Sequence, residues 1–271
     1  MFHPHGPFEL KRILFPVDFS ERCRGAAAYV EALAGRFDAE LILLHVVEPA
    51  AYNRTLAEEP TIGHKEILGF FGADLKYLRV ESLVEHGEAA AKIVECAAAR
   101  HADLIMMPTQ GLGIYRRLII GSNVAKVLHD ADCPVWTGVH LENAPPLEKV
   151  HTQRVLCAVD LKRPSARVLD WASQLAKEYQ AELTLLHVTS DLATSAPDAR
   201  QALKELQKAV GSNAELRLGD GDPAKTVAET ARELGADLLV IGRRAEIGLL
   251  GRLEVTAYSI IRQSPCPVVS V

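Results

Sequence analysis

The sequence reads ILFPVDFSERCRGAAAYVEALAGRFDAELILLHV from Ile13 to Val46, and it reads VLCAVDLKRPSARVLDWASQLAKEYQAELTLLHV from Val155 to Val188. The two stretches align without a gap, and each runs from a short apolar segment through Val-Asp and a helical segment to Leu-Leu-His-Val. A second match follows, because ADLIMM at 102–107 corresponds to ADLLVI at 236–241, and Cys-Pro-Val occurs near the end of both halves. A repeat of this length is far longer than a solenoid unit, so it indicates two copies of one domain.

The domain boundaries follow from the repeat. A chain of 271 residues has room for two domains of ordinary size. We predict the first domain over residues 8–140 and the second over residues 153–271. Residues 141–152 read LENAPPLEKVHT, in which Pro145 and Pro146 cannot continue a helix or a central strand. This segment is therefore predicted to be the linker.

Composition places the chain among ordinary globular proteins. A net charge of −5 gives no reason to expect a nucleic acid or an anionic membrane as partner. No uncharged apolar run reaches the roughly 20 residues that span a bilayer, and the first residues lack the apolar segment of a signal peptide. The five cysteines form no Cys-x-x-Cys pair, which disfavours a disulfide framework or a zinc site. We expect a cytoplasmic protein without membrane or nucleic-acid partners.

Each half alternates short, fully apolar strands with helical segments. In the first half we predict strands at 13–17, 41–47, 78–84, 104–107 and 134–139, and helices at 26–37, 89–100 and 121–129. The second half repeats this order and ends on a strand at 267–271. Strands without polar alternation are covered on both faces, which is typical of parallel sheets flanked by helices. We predict an α/β fold of two tandem doubly wound, Rossmann-like domains, each with about five parallel strands.

Ligands of such sheets bind at the carboxyl ends of the strands, where the strand order reverses. Two loops reach that edge in the first half: Pro16-Val17-Asp18, and Pro108-Thr109-Gln110-Gly111, which Gly121-Ser122 follows after nine residues. Glycine lets backbone amides approach a phosphate, and Gly121-Ser122 opens a helix whose free N–H groups attract an anion. The alternative is an ordinary loop in which serine caps a helix. The residues alone leave both interpretations open.

These patterns together resemble the universal stress protein family in both halves of the chain. ATP-binding members carry Gly-x-x-Gly-x9-Gly-Ser/Thr, and the first half matches this motif except that Pro108 replaces the first glycine. The resemblance implies an adenine nucleotide alpha hydrolase-like fold and an ATP site, with or without Mg²⁺, in the first domain only. The site residues that it implies are Pro16, Val17, Asp18, Val46, Met107, Pro108, Gly111, Gly121, Ser122 and Asn123. By the resemblance, Val17 and Val46 would meet the adenine, Asp18 would lie near adenine or ribose, Met107 would line the pocket, and the glycines with Ser122 and Asn123 would hold ribose and phosphates.

Two departures from the family motif concern the phosphate contacts. Pro108 has no N–H and a fixed φ, so the loop must be reshaped if the family's first glycine needs a positive φ. The second half reads Gly242-Arg243-Arg244-Ala245 and, after nine residues, Val255-Thr256, with a register that is open by one residue. A β-branched valine would stand where phosphate approaches, so we predict a degenerate second site that serves mainly as an internal partner. We interpret Arg243 and Arg244 as solvated surface residues rather than phosphate ligands.

Two repeated polar residues admit a structural and a functional interpretation. His45 and His187 end matching strands, and we favour a structural role at the strand end over catalysis. Asp18 and Asp160 also repeat at a strand end, where a carboxylate is as consistent with helix capping as with ribose binding.

Three classes of function compete. The first is an ATP-binding regulatory protein of the stress response, the second is a tandem scaffold that binds protein partners and no nucleotide, and the third is an enzyme. The sequence offers no convincing nucleophile–base pair, no metal cluster and no lysine within a known catalytic motif. We therefore expect that the protein is not an enzyme and at most hydrolyses ATP slowly. Because family members commonly pair through their last strands, the resemblance implies an intramolecular pseudo-dimer through 134–139 and 267–271 and leaves further homodimerisation open.

Overall fold

The computed structural model describes residues 8–48, 63–72, 75, 77–109, 120–138, 141, 145–189, 196–243 and 255–271 of the chain. The strands are β1 Arg12–Pro16, β2 Glu40–Val47, β3 Arg79–His86, β4 Leu104–Pro108, β5 Val135–Gly138, β6 Arg154–Val159, β7 Glu182–Thr189, β8 Glu215–Asp220, β9 Leu238–Ile241 and β10 Val268–Ser270. The helices are α1 Glu21–Phe37, α2 His64–Phe71, α3 Ala89–Ala99, α4 Ser122–Asp130, α5 Ser165–Tyr179, α6 Ala196–Val210, α7 Pro223–Leu234 and α8 Val255–Gln263, with a 3-10 turn at Leu147–Lys149.

The two halves form one continuous sheet of ten strands in the order β3-β2-β1-β4-β5-β10-β9-β6-β7-β8. All pairs within each half are parallel, while β5 and β10 pair antiparallel across the centre. Trp136 lies opposite Val269, and Val135 lies opposite Ser270. An antiparallel junction between two copies of one fold relates them by an approximate two-fold axis. The tandem α/β fold and the pairing through the last strands are therefore confirmed.

The inner strands of the sheet are buried on both faces, which explains why they lack polar alternation, whereas the edge strands β3 and β8 are only partly buried. Side chains of one strand point alternately to opposite faces. Ile13 and Phe15 pack in the layer that contains α1 and α5, whereas Leu14 packs in the layer that contains α4 and α8. All three side chains are fully buried. Each layer runs through both halves, so the two repeats share their cores.

The helices differ from the predicted ones at three places, one of which is α6 in the second half, a helix of 15 residues that was not predicted. Helix α1 begins at Glu21 rather than residue 26, because Ser20 Oγ accepts the N–H of Cys23 at 3.2 Å and caps the helix before its apolar periodicity starts. Helix α2, which the sequence analysis missed, buries Ile67 and Phe71 over only two turns. No helix in the part of the chain described by the structure is both long and apolar enough to cross a bilayer.

An aspartate that both halves share fixes the start of the first strand of each half. Asp103 Oδ2 accepts the backbone N–H groups of Lys11 at 2.7 Å and Arg12 at 2.9 Å. In the second half, Asp237 Oδ2 accepts from Gln153 at 2.8 Å and Arg154 at 2.9 Å. The Ala-Asp-Leu pattern therefore has a structural role at the amino edge of the sheet, opposite the predicted ligand edge.

The beginning of the predicted linker packs against the first domain. Leu141 is buried, with 3% of its surface exposed, and it lies against Gly25 in helix α1. An ideal Cβ at Gly25 would overlap the carbonyl oxygen of Leu141 and lie 2.9 Å from its carbonyl carbon. The glycine therefore allows the backbone of the chain to pass close to the helix at this point.

Candidate functional site

The candidate site lies at the carboxyl edge of the first-half sheet, where β1 and β4 are neighbours. The helix after β1 packs on one face of the sheet and the helix after β4 packs on the other, so the strand order reverses here. Val17 and Met107 are buried at this edge, and Val46 is partly buried against the apolar cluster that contains Met107. The backbone N–H of Val17 donates to the carbonyl oxygen of Leu44 at 2.8 Å, which joins the ends of β1 and β2.

The structure brings most of the predicted site residues to this edge. Pro16 ends β1, Asp18 is exposed just beyond it, and Pro108 ends β4. Gly121, Ser122 and Asn123 form the start of α4. Gly111 lies outside the described residues.

The two histidines hold the strand ends together. The Nδ1 atom of His45 lies 2.8 Å from the carbonyl oxygen of Val17, and the Nδ1 atom of His187 lies 2.9 Å from that of Val159. A carbonyl oxygen can only accept, so each ring carries its proton on Nδ1 and donates it. The predicted structural role of both histidines is confirmed.

The repeated aspartates organise the turn between the first strand and the first helix of each half. Asp18 Oδ1 accepts the N–H of Ser20 at 3.0 Å, and Asp160 Oδ1 accepts that of Lys162 at 2.9 Å. The residue between them adopts a left-handed conformation in both halves, with φ of 59° at Phe19 and 61° at Leu161. The carboxylates order the turn before the helix and do not cap it, since Ser20 is the N-cap of α1 and Pro164 is that of α5. The capping interpretation is therefore wrong, while ribose binding stays a prediction. Sequence reasoning missed the two left-handed residues, because neither is glycine, asparagine or aspartate.

Phe19 places an aromatic cluster beside the first-half site. Its ring meets His45 edge-on, with centroids 4.9 Å apart, and meets Phe70 of α2 at 5.3 Å. The guanidinium carbon of Arg24 lies 4.5 Å from the centre of the Phe70 ring, close enough for a cation–π contact. Leu161 stands at the position of Phe19 in the second half, so the two strand edges differ in character.

Pro108 is accommodated as a strand residue. It pairs with Gly138 in the ladder between β4 and β5, and the next ladder bond runs from the N–H of Thr109 to Gly138 at 3.0 Å. Its counterpart Gly242 has a φ outside the left-handed region. Gly242 therefore does not show the positive φ that would have required Pro108 to reshape the loop.

The repeat also compensates for the extra volume of Pro108. An ideal Cβ at Gly242 would lie 3.3 Å from Cγ2 of Val168, which is tight. The first-half counterpart of Val168 is Ala26, a smaller residue that is fully buried. In the first half, the small Ala26 in the helix accompanies the larger Pro108 at the strand end. In the second half, the larger Val168 accompanies the small Gly242.

Helix α4 begins in the manner that the phosphate-site interpretation requires. Gly121 is its N-cap and makes no side-chain hydrogen bond, and the carbonyl of Gly121 accepts the N–H of Ala125 at 2.9 Å. The first N–H groups of a helix have no partner within the helix. Ser122 is exposed and Asn123 is partly buried at this end.

The helix register of the second half corrects the nine-residue count. Helices α4 and α8 both contain nine residues, and both end three residues before a Cys-Pro-Val. The buried residues match at this register, with Val124, Val127 and Leu128 corresponding to Ala257, Ile260 and Ile261. Val255 therefore corresponds to Ser122 rather than to Gly121. The sequence position that matches Gly121 is that of Glu254.

The second half has a partly open cavity of about 450 Å³ at its own strand edge. Its apolar wall includes Val159, Val188 and Ile241, which are the repeat counterparts of Val17, Val46 and Met107. Asp160 and Lys162 line the polar side, with 3.3 Å between Lys162 Nζ and Asp160 Oδ2. The second half thus keeps a cavity at the edge where the sequence predicts a degenerate phosphate motif.

The interpretation of Arg243 as a solvated surface residue is wrong. Only 1% of its surface is exposed, and its guanidinium crosses into the first half. Nη1 donates to the carbonyl of Leu128 at 3.3 Å, and Nη2 donates to that of Cys133 at 2.6 Å. Two consecutive arginines after a strand gave no signal of this contact. Arg244 lies outside the described residues.

The site offers no ionised thiol. Burial, and next the charge of Asp18, raises the pKa of Cys23 to about 12, so this thiol stays protonated near neutral pH. Its Sγ lies 3.8 Å from the carbonyl oxygen of Pro16, which it contacts as a weak donor. All five cysteines are free.

Comparison with known proteins identifies the family. The model described as the universal stress protein family matches residues 9–137 and 151–271. A universal stress protein of Thermus aquaticus is 32% identical over 136 residues, which cover 46% of this chain and 96% of that protein. A universal stress protein of Mycolicibacterium smegmatis is 24% identical over 290 residues, covering 96% of each chain.

A solved structure matches the whole tandem fold. The crystal structure of a universal stress protein from Archaeoglobus fulgidus covers 97% of each chain with a TM-score of 0.72, at 22% identity. At that identity the likeness concerns the fold alone. Because the family model matches both halves, the chain belongs to the universal stress protein family, as a member with two domains in tandem.

Proposed function

We propose that the chain is a cytoplasmic regulatory protein of the stress response that binds an adenine nucleotide, ATP with or without Mg²⁺, in its first half. It acts by binding rather than by catalysis. The second half serves mainly as the partner of the first.

The start of helix α4 is the observation that carries this proposal. Gly121 leaves the helix end free of a side-chain cap, and a helix of nine residues directs its dipole and its first N–H groups towards that end. Ser122 adds an exposed hydroxyl donor. Such an end favours an anionic group, and the phosphates of a nucleotide are anionic.

The apolar floor of the site supports an adenine ring. Val17, Val46 and Met107 correspond to three residues that line the 450 Å³ cavity of the second half. Pockets for small ligands usually have volumes of about 300–1,000 Å³ and mostly apolar walls. The same strand edge in the first half would therefore suit a flat heteroaromatic ring.

The described groups near the site support binding rather than catalysis. His45 is committed to a hydrogen bond with the backbone of Val17, and the thiol of Cys23 is buried and protonated. Neither forms part of a nucleophile–base pair of the kind that acyl or phosphoryl transfer to the protein requires.

Mass spectrometry of the ligand released from freshly purified, denatured protein tests the proposal, followed by calorimetric titration with ATP at fixed salt and magnesium. We expect one nucleotide per chain. Gly121→Val should abolish binding, because a β-branched side chain would occupy the approach to the helix end. Two equivalent sites per chain would contradict the asymmetry that we propose.

Asp18 and Asp160 provide a matched pair of variants. If Asp18 contacts the nucleotide, Asp18→Asn should weaken ATP binding by about tenfold, the value of one charged hydrogen bond at the low end of its range. Asp160→Asn makes the same change in the same turn of the second half and should leave the affinity unchanged. No released nucleotide and no binding of ATP would favour the alternative, a tandem scaffold that acts through protein partners.

A further inference from the structure

Arg243 connects the second half to one particular helix of the first. It follows β9 and Gly242, and its own backbone N–H donates to the carbonyl of Val271 at 3.3 Å, which fixes its position in the second half. Its side chain is buried between the halves and donates to Leu128 and Cys133. Both acceptors lie at the carboxyl end of α4 or in the turn that follows it.

The contact satisfies groups that a helix cannot satisfy by itself. The last carbonyl groups of a helix have no partner within the helix, and a positive charge at this end interacts favourably with the helix dipole. A buried guanidinium needs acceptors of this kind. Arg243 and the end of α4 therefore stabilise each other across the domain interface.

A second side chain holds the same helix. Tyr258 of α8 donates its hydroxyl proton to the carbonyl of Ala125 at 3.0 Å, one turn from the start of α4. The second half thus contacts α4 near both ends.

The arrangement is asymmetric between the repeats. The counterpart of Arg243 is Thr109, whose hydroxyl donates to Gly138 within its own half at 2.9 Å. The counterpart of Tyr258 is Ala125, which has no polar side-chain group. In the second repeat, the side chains at these two positions donate hydrogen bonds to the other half. Their counterparts in the first repeat, Thr109 and Ala125, make no such side-chain bond among the described residues.

We infer that Arg243 is a positioning residue for the first-half site: it fixes α4 from its carboxyl end, so that the amino end of the helix is held ready for an anion. This inference rests on the proposed function for its effect on binding, although the effect on the helix is independent of it. Preorganisation of a binding group raises affinity, since less ordering remains to be done on binding.

Amide hydrogen exchange of the free protein, together with ATP titration, tests this inference. Arg243→Met removes the hydrogen bonds to the carbonyls of Leu128 and Cys133, and Arg243→Lys keeps the charge with a donor group that cannot span these two carbonyls. Arg232→Met is the matched control, because Arg232 Nη2 donates to the carbonyl of Gln263, at 3.1 Å, and so caps α8 within the second half. Each variant is measured at a urea concentration that lies the same amount below its own midpoint of unfolding, so that the variants are compared at equal distance from unfolding.

We expect Arg243→Met to speed exchange in α4 by about tenfold relative to α3, and to weaken ATP binding by about tenfold. Arg243→Lys should give values between those of Arg243→Met and the wild type, both for exchange in α4 and for ATP affinity. Arg232→Met should speed exchange in α8 alone and leave ATP affinity unchanged. If Arg243→Met fails to fold, the comparison of Arg243→Lys with Arg232→Met decides whether Arg243 positions α4.

Two results would overturn the inference. One is equal exchange in α4 and α3 of the Arg243 variants, which would mean a general loss of stability. The other is a looser α4 with unchanged ATP affinity. Failure of the wild type to bind any nucleotide would refute the proposed function, while the exchange measurement would still decide whether Arg243 positions α4.

Discussion

Two glycines of helix α1 should respond to the same substitution with opposite signs. Alanine is favoured over glycine inside a helix by up to about 1 kcal/mol. At Gly35 the nearest atom to an added Cβ is Cδ2 of Leu78 at 3.9 Å, an ordinary contact. Gly35→Ala should therefore stabilise the chain by about 0.5–1 kcal/mol.

Gly25→Ala should destabilise it, because the new methyl group would overlap the backbone of Leu141. Either the helix shifts, at a typical overpacking cost of about 1–3 kcal/mol, or the linker lifts and exposes Leu141, at a cost of about 1.5–3 kcal/mol. After subtraction of the helix gain, the net loss is about 1–2 kcal/mol. The two variants should thus differ by about 2–3 kcal/mol.

Urea unfolding of both variants measures this difference, and limited proteolysis reports whether the linker has lifted. The double variant of Gly25→Ala and Leu141→Ala separates the two routes. If the linker lifts, Leu141→Ala should add less than about 0.5 kcal/mol to Gly25→Ala, although by itself it should cost about 2 kcal/mol or more. A Gly25→Ala protein as stable as the wild type would refute the close approach on which this reasoning depends.

Three further predictions concern stability. Asp103→Ala and Asp237→Ala should each cost about 1–3 kcal/mol in urea unfolding, since each frees two backbone N–H groups at a strand start; a loss in one half only would contradict the shared role. The free energy of unfolding should fall as pH rises above about 8.5, because the Cys23 thiol ionises in the unfolded chain while burial raises its pKa to about 12 in the native one, and Cys23→Ala should reduce that slope. Gly242→Ala should cost less in a Val168→Ala background than alone, as a double-mutant cycle would show, whereas strict additivity would mean that the 3.3 Å contact is not limiting.

The sequence was sufficient to predict the elements that depend on local patterns. The apolar runs that became β1 and β2 lie within a residue of their predicted bounds, because strands buried on both faces leave an uninterrupted apolar signal. The pairing of β5 with β10 was predicted as well, but from the resemblance to a family whose members commonly pair through their last strands. Helix α2 was not, because it buries only two side chains over two turns and shows too little periodicity.

The contacts that distinguish the two halves were less accessible from sequence. Arg243 stands after a strand, where charged residues are usually solvated, and its burial depends on how the other half packs against it. The register of α8 depended on counting back from Cys266 rather than forward through the preceding loop. The left-handed φ of Phe19 is set by the carboxylate of Asp18, which accepts the N–H of the following serine. In each case a partner distant in space or a side-chain hydrogen bond decides the outcome.

The two domains that meet at the antiparallel junction of β5 with β10 belong to one chain, which fixes their ratio at one to one. When two binding surfaces are linked in one chain, each meets the other at an effective concentration of the order of millimolar, whatever the amount of protein in the cell. Neither copy therefore has to retain a surface that recognises an identical copy. A residue such as Arg243 therefore has to fit only the surface of the other domain that it contacts. The equivalent position in the first domain can carry a different residue. Covalent linkage thus allows the duplicated domains to specialise independently of each other.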